Sequence, residues 1–187
     1  LIIVDDCSNK ETISVLKKIK KNKKIRIFRL KKNHGAGFCR NYAIKKSYSP
    51  YLAFIDSDDL WKKDKLKKQI NFMEKNNYSF TYTNYETFGD KIRKISSPQK
   101  LNYSNFIKNT SIATSTMILD RTLIKKTKFP NTKICEDYFF KCQILKKIDY
   151  AICYPFFLTK YRIRKNSLQS NRFKNLIWMW KINKNLN

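Results

Sequence analysis

Carboxylates recur at two matching places in this sequence. Residues 1–4 form a short apolar run closed by Asp5-Asp6, and residues 51–55 form another closed by Asp56-Ser57-Asp58-Asp59. Carboxylates crowded together repel one another unless a cation or donor groups sit between them. The pattern points to a divalent cation and a ligand held at that edge. The bland alternative is helix capping, by Ser8 after the first cluster and Asp59 in the second. One cluster could be accounted for that way; two, each closing a wholly apolar run, favour a ligand. A third acidic pair, Glu136-Asp137, opens a helix. Taken alone it indicates favourable first-turn charge against the helix dipole.

The elements needed to position these residues can be read from periodicity. Residues 1–4, 25–30, 51–55, 78–85, 115–119 and 151–158 read as strands. Residues 10–21, 38–46, 62–75 and 134–148 read as helices. Residues 33–37 form a turn, 89–99 a loop or edge hairpin, and 171–182 an amphipathic helix with Trp and Lys. Strands alternating with helices predict an α/β fold with a mostly parallel central sheet. In such sheets ligands bind beyond the carboxyl ends of the strands, where both acidic clusters fall. One domain over residues 1–170 and a C-terminal helix over 171–187 are expected. The chain opens at Leu1 within a strand, so it is expected to be part of a longer protein.

Composition narrows the function classes. With 187 residues and 42% hydrophobic side chains the chain can bury a core, so its +27 charge is not that of a disordered basic tail. Lys is spread along the whole chain rather than clustered with Arg and aromatics on one face, so no specific nucleic acid is expected as partner. Part of the excess charge suits contact with an anionic membrane leaflet. No apolar run is long enough to cross a bilayer. The 5 cysteines lack a CxxC pair and the chain has 1 histidine, His34, so ordinary thiols are expected rather than a zinc site.

Two chemistries use an acidic strand edge. In a receiver-type signalling domain, Asp5-Asp6 would hold magnesium beside a phosphorylated Asp56. That reading gives no role to Asp58, Asp59, residues 33–41 or the chain beyond about residue 110. The other chemistry is glycosyl transfer. Val4-Asp5-Asp6-Cys7-Ser8, Asn33-His34-Gly35-Ala36-Gly37-Phe38-Cys39-Arg40-Asn41, Phe54-Ile55-Asp56-Ser57-Asp58-Asp59, Ser115-Thr116-Met117-Ile118, Cys135-Glu136-Asp137-Tyr138 and Tyr161-Arg162 stand in an order that resembles the family 2 glycosyltransferases. The resemblance covers residues 1 to about 170 and implies a GT-A fold, a single Rossmann-like domain. It also implies that the chain begins at the family's second strand, so the alternative of a catalytically inactive fragment is carried alongside. Cys7 stands where the family usually has Gly, which is tolerable if that position does not need a positive φ.

The resemblance implies an inverting, metal-dependent transferase that moves a sugar from a nucleotide-sugar donor, with a UDP-sugar favoured. The acceptor is a glycan or lipid-linked acceptor in bacterial surface polysaccharide or lipopolysaccharide assembly. It implies Asp58 as ligand of Mn²⁺ or Mg²⁺, because hard ions take one or two carboxylates beside substrate phosphates. Asp56 is expected at ribose or sugar hydroxyls, Asp6 at the base, and Asp5 near the ribose or in a structural role. Arg40 is expected at the base or diphosphate, or in an ion pair with a nearby Asp. Gly35 and His34 are expected at the donor site. Asp137 is the implied general base, and Asp59, Glu136 and Arg162 complete the candidate set. The implied location is cytoplasmic, peripheral at the inner face of the plasma membrane.

Overall fold

Apolar β-branched runs and one amphipathic crossover build the first unit. In the computed structural model, which describes residues 1–132, 134–164, 179 and 184, β1 (Ile2–Asp5) pairs in parallel with β2 (Arg26–Arg29). Between them α1 (Lys10–Ile19) is capped by Asn9, whose side chain accepts from the Thr12 N–H. Its Ile13, Leu16 and Ile19 lie half-buried on one face. After β2 comes α2 (Ala36–Lys46), entered through Gly35 at φ +87°, a conformation that disfavours side chains. Gly37, in its first turn, lies so close to the segment around Pro130 that a Cβ there would meet the Pro130 carbonyl at 2.7 Å.

The second sheet carries most of the core. Its path is β3 (Tyr51–Ala53), β8 (Ile118–Asp120), β5 (Phe80–Gly89), β9 (Ala151–Ile163) and β4 (Leu60–Trp61), with β6 (Lys94–Ile95) paired to β5 and β7 (Lys100–Leu101) to β9. Three helices pack around it: α3 (Lys65–Asn76), α4 (Tyr103–Asn109) and α5 (Glu136–Leu145). Phe129 stacks on Phe140 at 3.9 Å, and Phe54 meets Phe129 edge-on at 5.5 Å. This aromatic cluster joins Phe140 of α5 to Phe54, which lies between β3 and the second acidic motif.

The α/β class stands, with corrections. The sheet is mixed rather than mostly parallel: β5 and β9 run parallel, but β8 runs against both β3 and β5, and β4 against β9. Helix–strand alternation reports element type, while strand direction depends on which elements end up adjacent. The start of the expected strand 115–119 is a 3-10 turn, Thr114–Thr116. α4 was not anticipated, although Tyr103, Phe106 and Ile107 follow helical spacing and Asn102 caps it by accepting from the Asn105 N–H. Neither Ser8 nor Asp59 caps a helix; Asn9 and Asp64 occupy those positions. Cys7 has φ +64°, so the position does take the left-handed conformation and the cysteine there is strained. All five cysteines are free thiols. The expected helix 171–182 lies, except for Met179, outside the described residues.

One buried group has a measurable consequence. Lys65 is fully buried, donates to Gln69 Oε1 at 2.8 Å, and sits 4.5 Å from the Trp61 ring centroid. Burial pushes its amine down to about 7. Between that pH and the ordinary lysine range the unfolded chain holds a proton that the folded chain has shed, so stability rises with pH across this window. Lys65→Met is expected to stabilise by about 2–3 kcal/mol at pH 6, the cost of burying the charge less an unpaired Gln69 oxygen. The gain should shrink through pH 7–10 and reverse once the lysine is neutral in both states. Urea denaturation of both proteins across that range checks it; a pH-independent difference would show that Lys65 carries no such cost.

Candidate active site

Arg40 is the hub of the site. It projects from α2, its side chain 14% exposed, and its two terminal nitrogens donate to different elements. Nη2 reaches Asp56 Oδ1 at 2.7 Å and Nη1 reaches Glu136 Oε1 at 2.7 Å. Its guanidinium also lies 5.4 Å from the Phe129 ring centroid. Burial works against this charge, but Asp56, with Asp137 and Glu136, holds its pKa above the ordinary arginine value. Asn41, the next residue, accepts from the Phe129 N–H at 2.9 Å and donates to the Phe129 carbonyl at 2.8 Å. These bonds tie α2 to the segment leading into α5, so the guanidinium has a fixed origin.

The second acidic motif is pinned from beneath and from the side. The Asp56 N–H donates to Ser115 Oγ at 3.0 Å, and Trp61 Nε1 donates to the Ser115 carbonyl at 2.7 Å. Asp59 is buried; its Oδ1 accepts the Arg162 N–H at 2.8 Å, and Arg162 Nε donates to the Asp58 carbonyl at 3.0 Å. Arg162 thus clamps the motif through backbone groups, its own guanidinium resting 4.3 Å from the Phe88 ring centroid. Asp59 Oδ2 has no hydrogen-bond partner among the described residues, and burial pushes its carboxyl up. Asp58 instead keeps its side chain 39% exposed, with Arg164 Nε at 3.7 Å. Among the described residues no group of three or more His, Cys, Asp or Glu could hold a metal. Asp58 is a partly exposed carboxylate, the hard oxygen donor that Mg²⁺ or Mn²⁺ takes singly or in pairs beside phosphate oxygens.

Asp137 stands at the start of α5. Its Oδ2 accepts from Thr114 Oγ1 at 2.8 Å and from Lys141 Nζ at 2.7 Å. Burial alone would push the carboxyl up; Lys141 above all, with Arg40 and the Thr114 hydroxyl, holds it well below the usual carboxylate range. The group is ionised at every working pH and so able to accept a proton. It lines a cleft of about 810 Å³ bordered by His34, Gly35, Thr110, Glu136 and Tyr138.

The first acidic pair serves the other wall. Asp6 Oδ1 accepts the His34 N–H and Oδ2 the Gly35 N–H, each at 2.7 Å. Asp5 is buried, accepts the Ser8 N–H at 3.2 Å, and has Arg29 Nε at 3.3 Å. The fold thus brings Arg40, Asp56, Glu136 and Asp137 together, with Asp58 and Asp59 on the adjoining loop and Arg162 reaching that loop from β9. Asp6 and Gly35 shape the turn at the far side of the cleft, while Asp5 braces the turn after β1 and pairs with Arg29. Ser115, Thr114 and Lys141 were missed as site residues. Lys141 had a readable signal, a cation four residues after Asp137 on one helix face.

Comparisons with known proteins give the family and the fold. A family model described as Glycosyl transferase family 2 matches residues 1–147. The Escherichia coli UDP-Glc:alpha-D-GlcNAc-diphosphoundecaprenol beta-1,3-glucosyltransferase WfaP is 40% identical over 181 residues, covering 95% of this chain and 70% of that protein. The crystal structure of S. aureus TarS 1-349 in complex with UDP-GlcNAc superposes with a TM-score of 0.77 at 22% identity, covering 91% of this chain and 51% of that one. The mannosyltransferase PcManGT from Pyrobaculum calidifontis, in complex with GDP-Man and Mn²⁺, gives 0.71 at 14% identity over 96% of this chain and 53% of that one. The chain spans about half the length of these solved structures.

Proposed function

This chain belongs to glycosyl transferase family 2, a glycosyltransferase of GT-A fold, and from that premise we propose that it carries out inverting transfer from a nucleotide-sugar donor to a lipid-linked or glycan acceptor. A UDP-sugar is the favoured donor, supported by the relative WfaP, a UDP-Glc-dependent glucosyltransferase. The observation that carries the reading is Arg40, whose single guanidinium joins Asp56 of the acidic motif to Glu136 beside Asp137. One side chain therefore holds the acidic motif next to the start of α5, where Asp137 stands.

Asp58 would hold Mn²⁺ or Mg²⁺, and a metal bound there neutralises charge on the departing nucleotide diphosphate. Asp56, oriented by Arg40 and Ser115, accepts hydrogen bonds from ribose or sugar hydroxyls. Asp6 fixes the Asn33–Gly35 turn against which the base lies. Asp137 takes the proton of the acceptor hydroxyl as that oxygen attacks the anomeric carbon from the face opposite the leaving group. One base suffices, because a single displacement inverts the centre. Among the described residues no helix is long and apolar enough to cross a membrane, and a lipid-linked acceptor would be met by peripheral contact at the inner face of the plasma membrane.

Thermal denaturation with UDP and UDP-glucose, with and without Mn²⁺, tests the donor site. Nucleotide at 100 times its dissociation constant should stabilise by about 2.7 kcal/mol, only with the metal present, and Asp58→Asn should abolish the metal dependence. Stabilisation that ignores both metal and Asp58 would remove Asp58 from the donor site, and no response to either nucleotide would sink the UDP-sugar reading.

A further inference from the structure

We infer that Lys141 is a positioning residue for Asp137, fixing its carboxylate by Oδ2 at the wall of the cleft; the inference rests on the reading of Asp137 as the base. Lys141 is 4% exposed on an inward face of α5 whose neighbouring positions are Tyr138, Phe140, Cys142, Ile144 and Leu145. A lysine buried among such residues costs stability unless its protons are satisfied. Here they are. Nζ lies 2.7 Å from Asp137 Oδ2, 2.8 Å from the Ile112 carbonyl and 3.4 Å from Thr114 Oγ1. Thr114 Oγ1 donates in turn to the same Asp137 oxygen at 2.8 Å. The three groups close a ring between α5 and the Thr114–Thr116 turn, and Oδ1 lies outside the clamp.

A helix that needed only packing would be served as well by an apolar residue at 141. What an ammonium adds is a charge in hydrogen-bond contact with Asp137. The other ionisable groups around this carboxylate are Arg40 from α2, Tyr161 from β9, Glu136, Cys135 and Cys142 on its own segment, and His34 across the cleft. Arg40 is already shared between Asp56 and Glu136. Removing Lys141 would therefore leave Asp137 buried beside Glu136 with its nearest cation committed elsewhere, and protonation would move to higher pH.

The test uses the full chain as the parent, Lys141→Met and Asp137→Asn. The Asp137 carboxyl is followed through pH by carbon-13 NMR, assigned by its absence in the Asn variant. Transfer from UDP-glucose to a GlcNAc-diphosphoryl lipid is measured over the same range. In Lys141→Met the carboxyl should titrate higher by about one pH unit or more, so kcat/KM should begin to fall at an acid pH where the parent is still level, while the KM for UDP-glucose holds. If the Met variant does not fold, Lys141→Gln, which keeps a donor without the charge, takes its place with the same expectation. An unmoved carboxyl titration, or lost activity on an unshifted pH profile, would reduce Lys141 to a packing role while an inactive Asp137→Asn leaves the base in place. An Asp137→Asn protein as active as the parent would remove the base itself, and the inference with it. The titration needs no substrate, so it decides the clamp whichever donor the enzyme takes.

Discussion

Asp137→Asn is expected to lower transfer by about 10²–10⁴-fold, the usual contribution of a positioned base, with nucleotide-dependent stabilisation unchanged. The substitution keeps size and an acceptor oxygen toward Thr114, so geometry alone gives little reason for loss. It also has a structural side effect that must be separated from the chemical one. Lys141 is buried, and its ammonium would face a neutral amide in place of a carboxylate. Breaking a buried pair by one partner typically destabilises by about 3–5 kcal/mol, whereas replacing both partners by apolar groups is often close to neutral. The double variant Asp137→Asn/Lys141→Met is therefore expected to regain most of the lost stability and none of the lost activity. Urea denaturation alongside an initial-rate assay distinguishes the two. Activity returning together with stability would mean that Asp137 serves the fold and the proton goes elsewhere.

How much of this could be read beforehand differs by residue. The acidic motifs were readable because each closes an apolar strand, and a strand's carboxyl end in an α/β sheet is where ligands bind. The joining of Arg40 to both Asp56 and Glu136 was not. An ion pair with a nearby Asp was one of two readings of Arg40, but its second partner lies 96 residues on, and long-range pairing leaves no local periodicity. Lys141 was hidden for the opposite reason: a lysine in a lysine-rich chain reads as surface, and its fully satisfied burial depends on the Thr114–Thr116 turn that had been taken for the start of a strand. Cys7 shows the same limit at the backbone. Nothing in its neighbours required a positive φ; the turn from β1 to Asn9 imposes it, with Asp5 accepting the Ser8 N–H. α4 is the contrasting case: its cap, Asn102, and the helical spacing of Tyr103, Phe106 and Ile107 are both local signals in the sequence.

Arg40 carries the second large expected effect, and its chemistry separates charge from shape. Arg40→Met leaves Asp56 and Glu136 without their shared cation. Glu136 is well buried, while Asp56 retains enough exposure to be partly hydrated, so the loss is expected at about 2–4 kcal/mol, below the full cost for a wholly buried pair. Arg40→Lys restores the charge but not the fork. A single ammonium on a flexible stem cannot place two in-plane donors on carboxylates from opposite sides, so Lys should recover less than half of the stability and little of the activity. Adding Glu136→Gln to Arg40→Met removes one of the two unpaired charges and should recover part of the stability. It cannot restore transfer, because Asp56 remains unoriented. Chemical denaturation of the parent, Arg40→Met, Glu136→Gln and the double variant gives the coupling between Arg40 and Glu136, and metal-dependent UDP binding reports whether Asp56 has lost its orientation. If Arg40→Lys binds UDP and folds like the parent, a charge at this position is sufficient and the two-pronged bridge is not what assembles the site. If binding fails in Arg40→Lys while the fold holds, the geometry of the guanidinium is the requirement, and donor and acceptor carboxylates depend on one side chain for their alignment.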